Sequence, residues 1–378
     1  MTIRILHLFS SFNLGGKEAR AVRLMNAFGD RAWHMIVSGV PDALNAREAI
    51  APGIRHEIAQ DPPPLTGKPS TKRYEAIARL MQRFDLVLSY NWGAIDGAMA
   101  RRVFTKGMPP LIHHEDGFNE DEANGLKPVR NMYRRVALGA AHALVVPSHQ
   151  LEQIALKAWK QPRERIHRIS NGIALDGFDA KPKPSAIPGF KRRKGEPVIG
   201  TVAGLRAVKD IPMLVRAAGG MQRDTQLVVV GEGPERQKVL DTAELMAMED
   251  RLVMPGFLSD PQNYMGLFDI FALSSKSEQQ PIAVMEAMAA GLPIVAPPVG
   301  DVLHMVSEAN RPYISPDWNE VHLRDRLQVL ADNPDGCKVI GKANREKALT
   351  EFGEDAMIAA YARLYGEALG KPDALICA

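Results

Sequence analysis

Short runs that are apolar at nearly every position alternate along the whole chain with longer amphipathic stretches. A strand that is apolar throughout has to be covered on both faces, and the stretches between the runs have the spacing of helices. This alternation predicts doubly wound α/β folding, with parallel sheets and helices on both sides. The predicted strands of the first half are residues 3–9, 34–38, 86–90, 111–114 and 143–147. Those of the second half are residues 198–202, 226–230, 252–255, 270–273 and 294–296.

The 378-residue length is too great for one hydrophobic core and predicts two domains. A stretch rich in Pro, Gly and cations, residues 181–195, separates the two series of strands and is typical of a linker. We therefore expect one domain over residues 1–180 and a second over residues 181–350. Ligands of doubly wound sheets bind at the carboxyl ends of the strands, so a cleft between two such domains is the expected site.

Composition excludes several classes of protein. The hydrophobic share of 46% and the charged share of 24% are those of a globular chain, which excludes disordered, collagen-like and coiled-coil proteins. The formal charge of +3 is too small for nucleic-acid binding by phosphate neutralisation. Two cysteines, Cys337 and Cys377, are typical of a protein of the reducing cytoplasm rather than of a disulfide-stapled one. The longest apolar stretch, residues 287–300, is interrupted by Gly and Pro and is too short to span a membrane.

The charge is unevenly distributed. Residues 1–180 contain 24 Lys and Arg against 18 Asp and Glu, a net +6, whereas the remainder contains 23 against 26, a net −3. A basic first half would attract an acidic partner such as an anionic membrane surface. A solvated basic surface without a role is the alternative.

Two turns follow strands of the second half. Arg206 and Lys209 lie three positions apart between a glycine turn and a predicted helix, where two cations would suit a diphosphate. Solvated loop residues are the alternative. The next turn, Gly231-Glu232-Gly233-Pro234, lacks the third glycine of a dinucleotide fingerprint, because Arg236 occupies that position. A tight turn in which glycine avoids a steric clash is the favoured interpretation of this second turn.

Residues 274–296 are the most informative segment. The predicted helix over residues 282–290 is apolar on every face, so an ionised Glu286 within it needs a partner. Glu278 lies eight positions earlier, in the loop before the helix. Ribose hydroxyls would satisfy Glu286, and the free N–H groups at the helix start would suit a phosphate. Alternatively, Glu278 caps the helix and Glu286 pairs with a buried arginine.

A histidine pair ends the predicted strand at residues 111–114. His113 and His114 are neighbours on a strand and point to opposite faces, so a shared metal ion is not expected. A strand-end histidine that bonds to the backbone is an alternative to a ligand-binding one. Farther on, Arg130, Arg134 and Arg135 have near-helical spacing and could meet a phosphate-bearing lipid, but a solvated helix face is the favoured interpretation.

The spacing of Glu278 and Glu286, within Glu-Ala-Met-Ala-Ala-Gly-Leu-Pro-Ile-Val-Ala, resembles the signature of the family-4 retaining glycosyltransferases of the GT-B fold. Further likenesses are the Gly-Gly-x-Glu loop at Gly15-Gly16-Lys17-Glu18, the Asn-Gly-Ile turn at Asn171-Gly172-Ile173 and the diphosphate cations Arg206 and Lys209. The matches extend from residue 1 to about residue 365. After Glu278 the family usually has Gly-Phe; Gln279-Gln280-Pro281 instead resembles a subgroup of bacterial exopolysaccharide-assembly transferases.

The resemblance implies a role for each matching residue. Glu286 would hold the ribose hydroxyls of a nucleotide sugar, Arg206 and Lys209 would neutralise its diphosphate, and Glu278 would face the transferred sugar. His113, favoured over His114, would support the donor sugar or the acceptor. The implied catalytic group is Glu278, His113, Arg206 and Lys209, and the implied donor-binding residues are Gly15, Gly16, Arg206, Lys209, Glu278, Gln280, Pro281, Ile282 and Glu286. The last helix, within residues 351–378, would cross back to the first domain.

The expected activity is that of a retaining glycosyltransferase without a metal or other cofactor. The donor would be a nucleotide sugar and the acceptor a saccharide or a polyprenyl-linked saccharide of a bacterial surface polysaccharide. The enzyme would act in the cytoplasm or peripherally on the inner face of the cytoplasmic membrane, with no nucleic-acid partner. Two alternatives remain open: a nucleotide-sugar 2-epimerase that uses Glu115 and Asp116 as acid and base, and a nucleotide-sugar-binding protein without turnover.

Overall fold

The computed structural model describes residues 2–118, 122 and 125–376. It divides into two compact units. Unit 1 comprises Met1–Asn171 and Asp355–Ala378, and unit 2 comprises Gly172–Glu354. Among the described residues, no helix combines the length and the apolar character needed to cross a membrane.

The strands of unit 1 form one parallel sheet, as the all-apolar runs predict. They are β1 (Ile3–Phe9), β2 (Ala32–Ser38), β3 (His56–Ile58), β4 (Leu86–Tyr90), β5 (Leu111–His114), β6 (Ala143–Val146) and β7 (Ile166–Arg168). Their order in the sheet is β3-β2-β1-β4-β5-β6-β7. Successive residues of β1 enter two different cores: Ile5 and Phe9 pack on one side of the sheet, and Leu6 and Leu8 pack on the other. This two-sided burial is why the run is apolar throughout.

The strands of unit 2 form a second parallel sheet. They are β8 (Val198–Val202), β9 (Gln226–Val230), β10 (Leu252–Gly256), β11 (Ile270–Ala272) and β12 (Ile294–Val295). Their order is β10-β9-β8-β11-β12. In both sheets the order reverses beside the first strand, which confirms the doubly wound prediction.

Helices cover both faces of each sheet. Those that begin in unit 1 are α1 (Gly16–Phe28), α2 (Thr71–Met81), α3 (Asp96–Val103), α4 (Pro128–Leu138) and α5 (His149–Lys157). Those of unit 2 are α6 (Ile211–Gly219), α7 (Arg236–Leu245), α8 (Ile282–Ala289), α9 (Val302–Met305), α10 (Glu320–Ala331) and α11 (Pro334–Glu351). The final helix, α12 (Glu354–Ala368), contributes Met357, Tyr361 and Tyr365 to the core of unit 1.

The structure places the division between the units earlier in the chain than position 180. Residues 181–195 are not a free linker but part of unit 2: Ile187 is 2% exposed and packs in the same core as Phe178. The backbone N–H of Lys183 also donates to the carbonyl of Asn263 at 2.8 Å. Proline and lysine are the most frequent residues of this segment, so its composition is that of a free linker. A few apolar residues nevertheless pack it against unit 2.

The apolar runs of the sequence do not predict two of the strands. β3 and β7 are three residues long and form the two edges of the unit 1 sheet. Edge strands have one unpaired side and are only partly buried, so they do not show the continuous apolar run of a central strand.

Buried histidines connect the central strands of unit 1. His7 Nε2 lies 3.0 Å from His34 Nδ1, and His7 Nδ1 lies 3.2 Å from the Tyr90 hydroxyl. On β5, His114 Nε2 lies 2.8 Å from the Tyr365 hydroxyl of α12. Burial lowers the pKa of His34 and of His114 to about 3. These rings are therefore neutral in the folded protein at any physiological pH.

This burial predicts a loss of stability in mild acid. Below about pH 6.5 the unfolded chain protonates histidines that the folded chain keeps neutral, so stability is present above that pH and falls as the pH decreases. We expect the free energy of unfolding to fall by about 2 kcal/mol per buried histidine between pH 7 and pH 5. His34→Gln should remove one histidine's share of that difference in urea unfolding. If the free energy of unfolding fell by the same amount between pH 7 and pH 5 in the parent protein and in His34→Gln, the prediction would be wrong.

Candidate functional site

Two loops at the carboxyl end of the unit 2 sheet are held together by their backbones. The N–H of Leu205, in the loop after β8, donates to the carbonyl of Glu232, in the loop after β9, at 2.8 Å. Gly231 and Gly233 have φ angles of +140° and +156°, and a Cβ on either would overlap the backbone of the β8 loop. The two glycines thus avoid a steric clash in a tight turn, as the sequence analysis predicts. Pro234 lies two residues before α7, which begins at Arg236.

Lys209 and Glu278, both predicted site residues, form an ion pair. The ammonium of Lys209 lies 2.5 Å from Glu278 Oε1, and the Ser275 hydroxyl donates to the same oxygen at 2.6 Å. Their side chains are only 18% and 11% exposed. Backbone contacts fix the pair, because Ser274 Oγ donates to the Lys209 carbonyl at 2.9 Å. The loop after β8 and the loop before α8 therefore present one cation and one carboxylate together.

Arg206 differs from Lys209 in its surroundings. Arg206 is exposed, and its guanidinium forms no ion pair with any other described residue. The backbone around it is ordered by hydrogen bonds: the Arg206 N–H donates to Gly204, and the Lys209 N–H donates to Arg206. Arg206 is therefore an available cation on the loop that carries the paired Lys209.

A close backbone contact shapes the loop from Glu278 to Pro281. The N–H of Asp301 donates to the Gln279 carbonyl at 2.8 Å. A Cβ at Gly300, whose φ is +55°, would overlap the carbonyls of Glu278 and Gln279. Gln280 and Pro281 are buried, and Pro281 is the N-cap of α8, with no side-chain hydrogen bond to the helix. Glu278 thus does not cap α8; its carboxylate is directed to Lys209 and Ser275 instead.

Glu286 lies within α8 and is half-buried, while most of the helix is fully buried. Its charge reaches Tyr264: burial raises the pKa of that phenol, and the Glu286 carboxylate raises it further. Ile282, in the first turn of the same helix, is also half-buried. Glu286 is thus less deeply buried than an all-apolar helix predicts.

The glycine loop of unit 1 opens α1. Gly15 is the N-cap of the helix and provides no side-chain cap, and both Gly15 and Gly16 are exposed. Glu18 folds back against this turn, so that a Cβ at Gly15 would lie 2.9 Å from Glu18 Oε2. The Lys17 ammonium lies 2.5 Å from the other oxygen of Glu18. The first turn of α1 therefore exposes backbone N–H groups of the kind that bind phosphate oxygens.

Both histidines of β5 are enclosed, which corrects the expectation that His113 faces a ligand. His113 Nδ1 lies 2.8 Å from Ser89 Oγ, and its Nε2 lies 3.8 Å from Glu115 Oε2. His113 and Glu115 are fully buried, and His114 bonds to the other side of the sheet through Tyr365. As predicted, the two rings point to opposite faces. Over the described residues, no three His, Cys, Asp or Glu side chains form a group that could hold a metal ion.

A polar cluster that the sequence did not indicate lies beside the glycine loop of unit 1. Arg20 forms a two-pronged ion pair with Asp116 and donates to the Asn171 side chain at 3.0 Å. Burial alone would raise the pKa of Asp116, but Arg20 outweighs burial and holds that pKa below its ordinary value. Asn171 belongs to the predicted Asn-Gly-Ile turn, which is the one signal that could have located the cluster. Asp116 is occupied by Arg20, so the acid–base role required of an epimerase gains no support.

The predicted solvated arginine face of α4 is wrong for Arg134. This side chain is fully buried, donates to both oxygens of Glu122 at 3.0 and 2.9 Å, and lies 3.4 Å from Glu115 Oε2. Three aromatic rings surround its guanidinium at 5.0 to 5.3 Å: Trp92, Phe118 and Trp159. Such a charge is tolerated inside because carboxylates and ring faces replace water.

Two family models match successive parts of the chain. "Glycosyltransferase Family 4" matches residues 14–176, in unit 1 and the first residues of unit 2, and "Glycosyl transferases group 1" matches residues 183–347, within unit 2. The first match includes the glycine loop, His113 and the Asn-Gly-Ile turn. The second includes Arg206, Lys209, Glu278 and Glu286. Together they cover most of the chain.

The chain is also similar to individual bacterial proteins. N-acetyl-alpha-D-glucosaminyl L-malate synthase of Bacillus anthracis is 21% identical over 62% of this chain and 60% of its own length. UDP-Gal:alpha-D-GlcNAc-diphosphoundecaprenol alpha-1,3-galactosyltransferase of Escherichia coli is 26% identical over 57% of this chain and 58% of its own length. The chain thus matches less than two thirds of the length of these relatives.

A solved structure extends the similarity over nearly the whole chain. The Anabaena protein HepE, in complex with UDP and glucose, covers 97% of this chain and 100% of its own, with a TM-score of 0.78 and 18% identity. At this identity the likeness establishes the fold. The chain therefore belongs to the glycosyltransferases of family 4 and group 1, with the two parallel-sheet α/β units of the GT-B fold.

Proposed function

We propose that the protein is a retaining glycosyltransferase that uses a nucleoside diphosphate sugar as donor. The observation that carries the proposal is the cluster at the carboxyl end of the unit 2 sheet: the available cation Arg206, the Lys209–Glu278 pair and the half-buried Glu286. A nucleoside diphosphate sugar has two negatively charged phosphates, the hydroxyls of the transferred sugar and the hydroxyls of the ribose. The cluster offers a complementary group for each.

In the proposed reaction, the bond between the anomeric carbon and the diphosphate oxygen breaks as the bond to the acceptor oxygen forms on the same face of the sugar. The acceptor hydroxyl proton passes to an oxygen of the leaving diphosphate. Negative charge grows on the diphosphate as the bond breaks, and cations fixed in advance lower the barrier. Arg206 and Lys209 supply such charge in this chain.

Glu278 has a double role in this proposal. It keeps the ammonium of Lys209 in place before the donor binds, since the two atoms are 2.5 Å apart. Its second oxygen is left to accept a hydroxyl of the transferred sugar. Ser275 binds the same oxygen as Lys209 and so helps to orient the carboxylate.

We propose a saccharide acceptor that is linked to a membrane lipid. The support is the name of the Escherichia coli relative, which acts on a diphosphoundecaprenol-linked sugar, together with the net +6 of residues 1–180. HepE was solved with UDP, so UDP-sugars are the first donors to examine, with GDP- and ADP-sugars beside them. An enzyme of surface polysaccharide synthesis on the inner face of the cytoplasmic membrane fits this acceptor.

Glu286→Ala should weaken binding of the free nucleoside diphosphate by roughly 2 kcal/mol, about 30-fold in Kd, because charged hydrogen bonds to the ribose are lost. Glu286→Gln should be milder, since its amide oxygen still accepts one hydrogen bond. Titration calorimetry measures both affinities, with Glu244→Ala, at an exposed residue of α7, as the matched control. Unchanged affinity in a folded Glu286→Ala protein would contradict the ribose assignment.

If both cations stabilise the leaving diphosphate, Arg206→Ala and Lys209→Ala should each lower kcat more than they raise KM. Each substitution should raise the activation free energy by about 2–4 kcal/mol. Lys209→Ala should also disturb sugar binding, because Glu278 loses its cation. Steady-state kinetics with the best donor measures both effects. Arg216→Ala, which removes a cation bonded to Glu320 at the far end of α6, is the control. A near-normal kcat in both variants would mean that Arg206 and Lys209 are solvated loop residues without a role in the reaction.

The reaction itself is tested by release of the nucleoside diphosphate from a panel of nucleotide sugars. We expect a product that keeps the α configuration of the donor, as shown by the anomeric coupling constant in its proton spectrum. Activity should persist in excess EDTA, because the proposed charge stabilisation comes from Arg206 and Lys209. An inverted product would overturn the retaining mechanism, and binding of nucleotide sugars without transfer would identify a binding protein.

A further inference from the structure

The outer face of α4 is apolar. Val129 is 83% exposed, Met132 is 60% exposed and Val136 is 43% exposed. Their spacing places them on one narrow stripe of the helix, within about 60° of each other at 100° per residue. An exposed stripe of large apolar side chains on an ordered helix marks an interaction surface.

The interior of unit 1 holds α4 in this orientation. Arg134 lies on the opposite side of the helix, fully buried and bonded to both oxygens of Glu122. Arg130 also reaches Glu122, at 3.0 Å, and lies over the Trp92 ring. Rotating the helix to bury the valines would pull Arg134 out of its carboxylate and aromatic surroundings. The buried ion pair of Arg134 and Glu122 therefore keeps the apolar stripe on the solvent side of α4.

The end of α3 lies close to the end of α4. Arg101 donates to the carbonyl of Ala140 at 2.9 Å, which places the last turn of α3 beside the end of α4. The residues that follow Arg101 are exposed: Arg102, then Val103 at 46%, and Lys106 in the next loop. We call the exposed residues Arg102, Val103, Lys106, Val129, Met132, Arg135 and Val136 the α3–α4 surface.

The charge of the α3–α4 surface has one sign. Residues 97–110 and 127–142 contain no Asp or Glu. Arg102, Lys106 and Arg135 are exposed and form no ion pair with any residue that the structure describes. An apolar stripe flanked by cations is the pattern of a helix that lies in the interface of an anionic membrane. A protein partner of neutral or basic character would gain nothing from these cations.

We propose that the α3–α4 surface docks the enzyme on an anionic lipid bilayer, with Val129, Met132 and Val136 entering the headgroup region and the three cations contacting lipid phosphates. The biological need for this contact rests on the proposed lipid-linked acceptor, whereas the binding itself does not. The proposed contact is peripheral, because three apolar side chains on one helix face enter only the headgroup region.

Co-sedimentation with vesicles tests the proposal, using the full chain without substrates. Vesicles of phosphatidylcholine with added phosphatidylglycerol should bind the protein at low salt, and binding should weaken steeply as salt screens the cations. Met132→Asp should lower the partition coefficient about tenfold, because a charge then enters the headgroup and acyl boundary. The double variant Arg102→Gln/Arg135→Gln should remove most of the salt dependence.

The matched control is Leu245→Asp, at a residue that is 85% exposed on α7 of unit 2. It should bind vesicles like the parent protein, and circular dichroism should show both aspartate variants folded. Transfer to a soluble acceptor should survive Met132→Asp, so that failure of docking and failure of the proposed reaction are separate results. Absence of binding at low salt, or equal binding by Met132→Asp, would overturn the proposal. A concentration-dependent dimer that Met132→Asp abolishes would overturn it in favour of a second copy of the chain.

Discussion

Close approach of backbone to backbone at the carboxyl end of the second sheet determines the candidate site. Gly231 and Gly233 let the loop after β9 lie against the loop after β8, and Gly300 lets its loop lie against Glu278 and Gln279. A side chain at any of the three would overlap a carbonyl oxygen, and these φ angles are ones that favour glycine. The positions of Arg206, Lys209 and Glu278 follow from this packing. Backbone contacts within unit 2 therefore hold the loops of the site together before any ligand contributes.

The same packing sets the electrostatics of the site. Lys209 and Glu278 neutralise each other at 2.5 Å, whereas Arg206 is exposed and available. A largely buried lysine alone would be costly, and its partner carboxylate offsets that cost while keeping the ammonium in a fixed position. In the proposed reaction, Arg206 then provides attraction for the incoming diphosphate, and Lys209 provides charge that is already oriented. Two cations three residues apart thus acquire different roles through their neighbours.

Helix α4 reverses the usual arrangement of a surface helix. Its arginine is inside, supported by Glu122 and three aromatic rings, and its valines and methionine are outside. An unpaired charge inside the protein would be far more costly than a few exposed apolar side chains, so the ion pair decides which face is buried. The exposed apolar face is then available to a lipid surface, which connects the interior of unit 1 to the proposed location of the enzyme.

The sequence alone determined the fold class, because strands covered on both faces must be apolar at every position, and β1, β4, β5, β8 and β9 lie where those runs predict. It also determined the chemistry available in unit 2, since the glutamate pair and the two cations are close in sequence to the strand ends that position them. Tertiary structure decided what depends on distant partners. Asn263 and Phe178 fasten the supposed linker to unit 2, and Ser89 and Glu115 enclose His113. Arg134 is buried against Glu122 and three aromatic rings, although its spacing from Arg130 and Arg135 predicts a solvated helix face. Local pattern fixes which element forms, but burial of a polar group depends on a partner that only the folded chain brings to it.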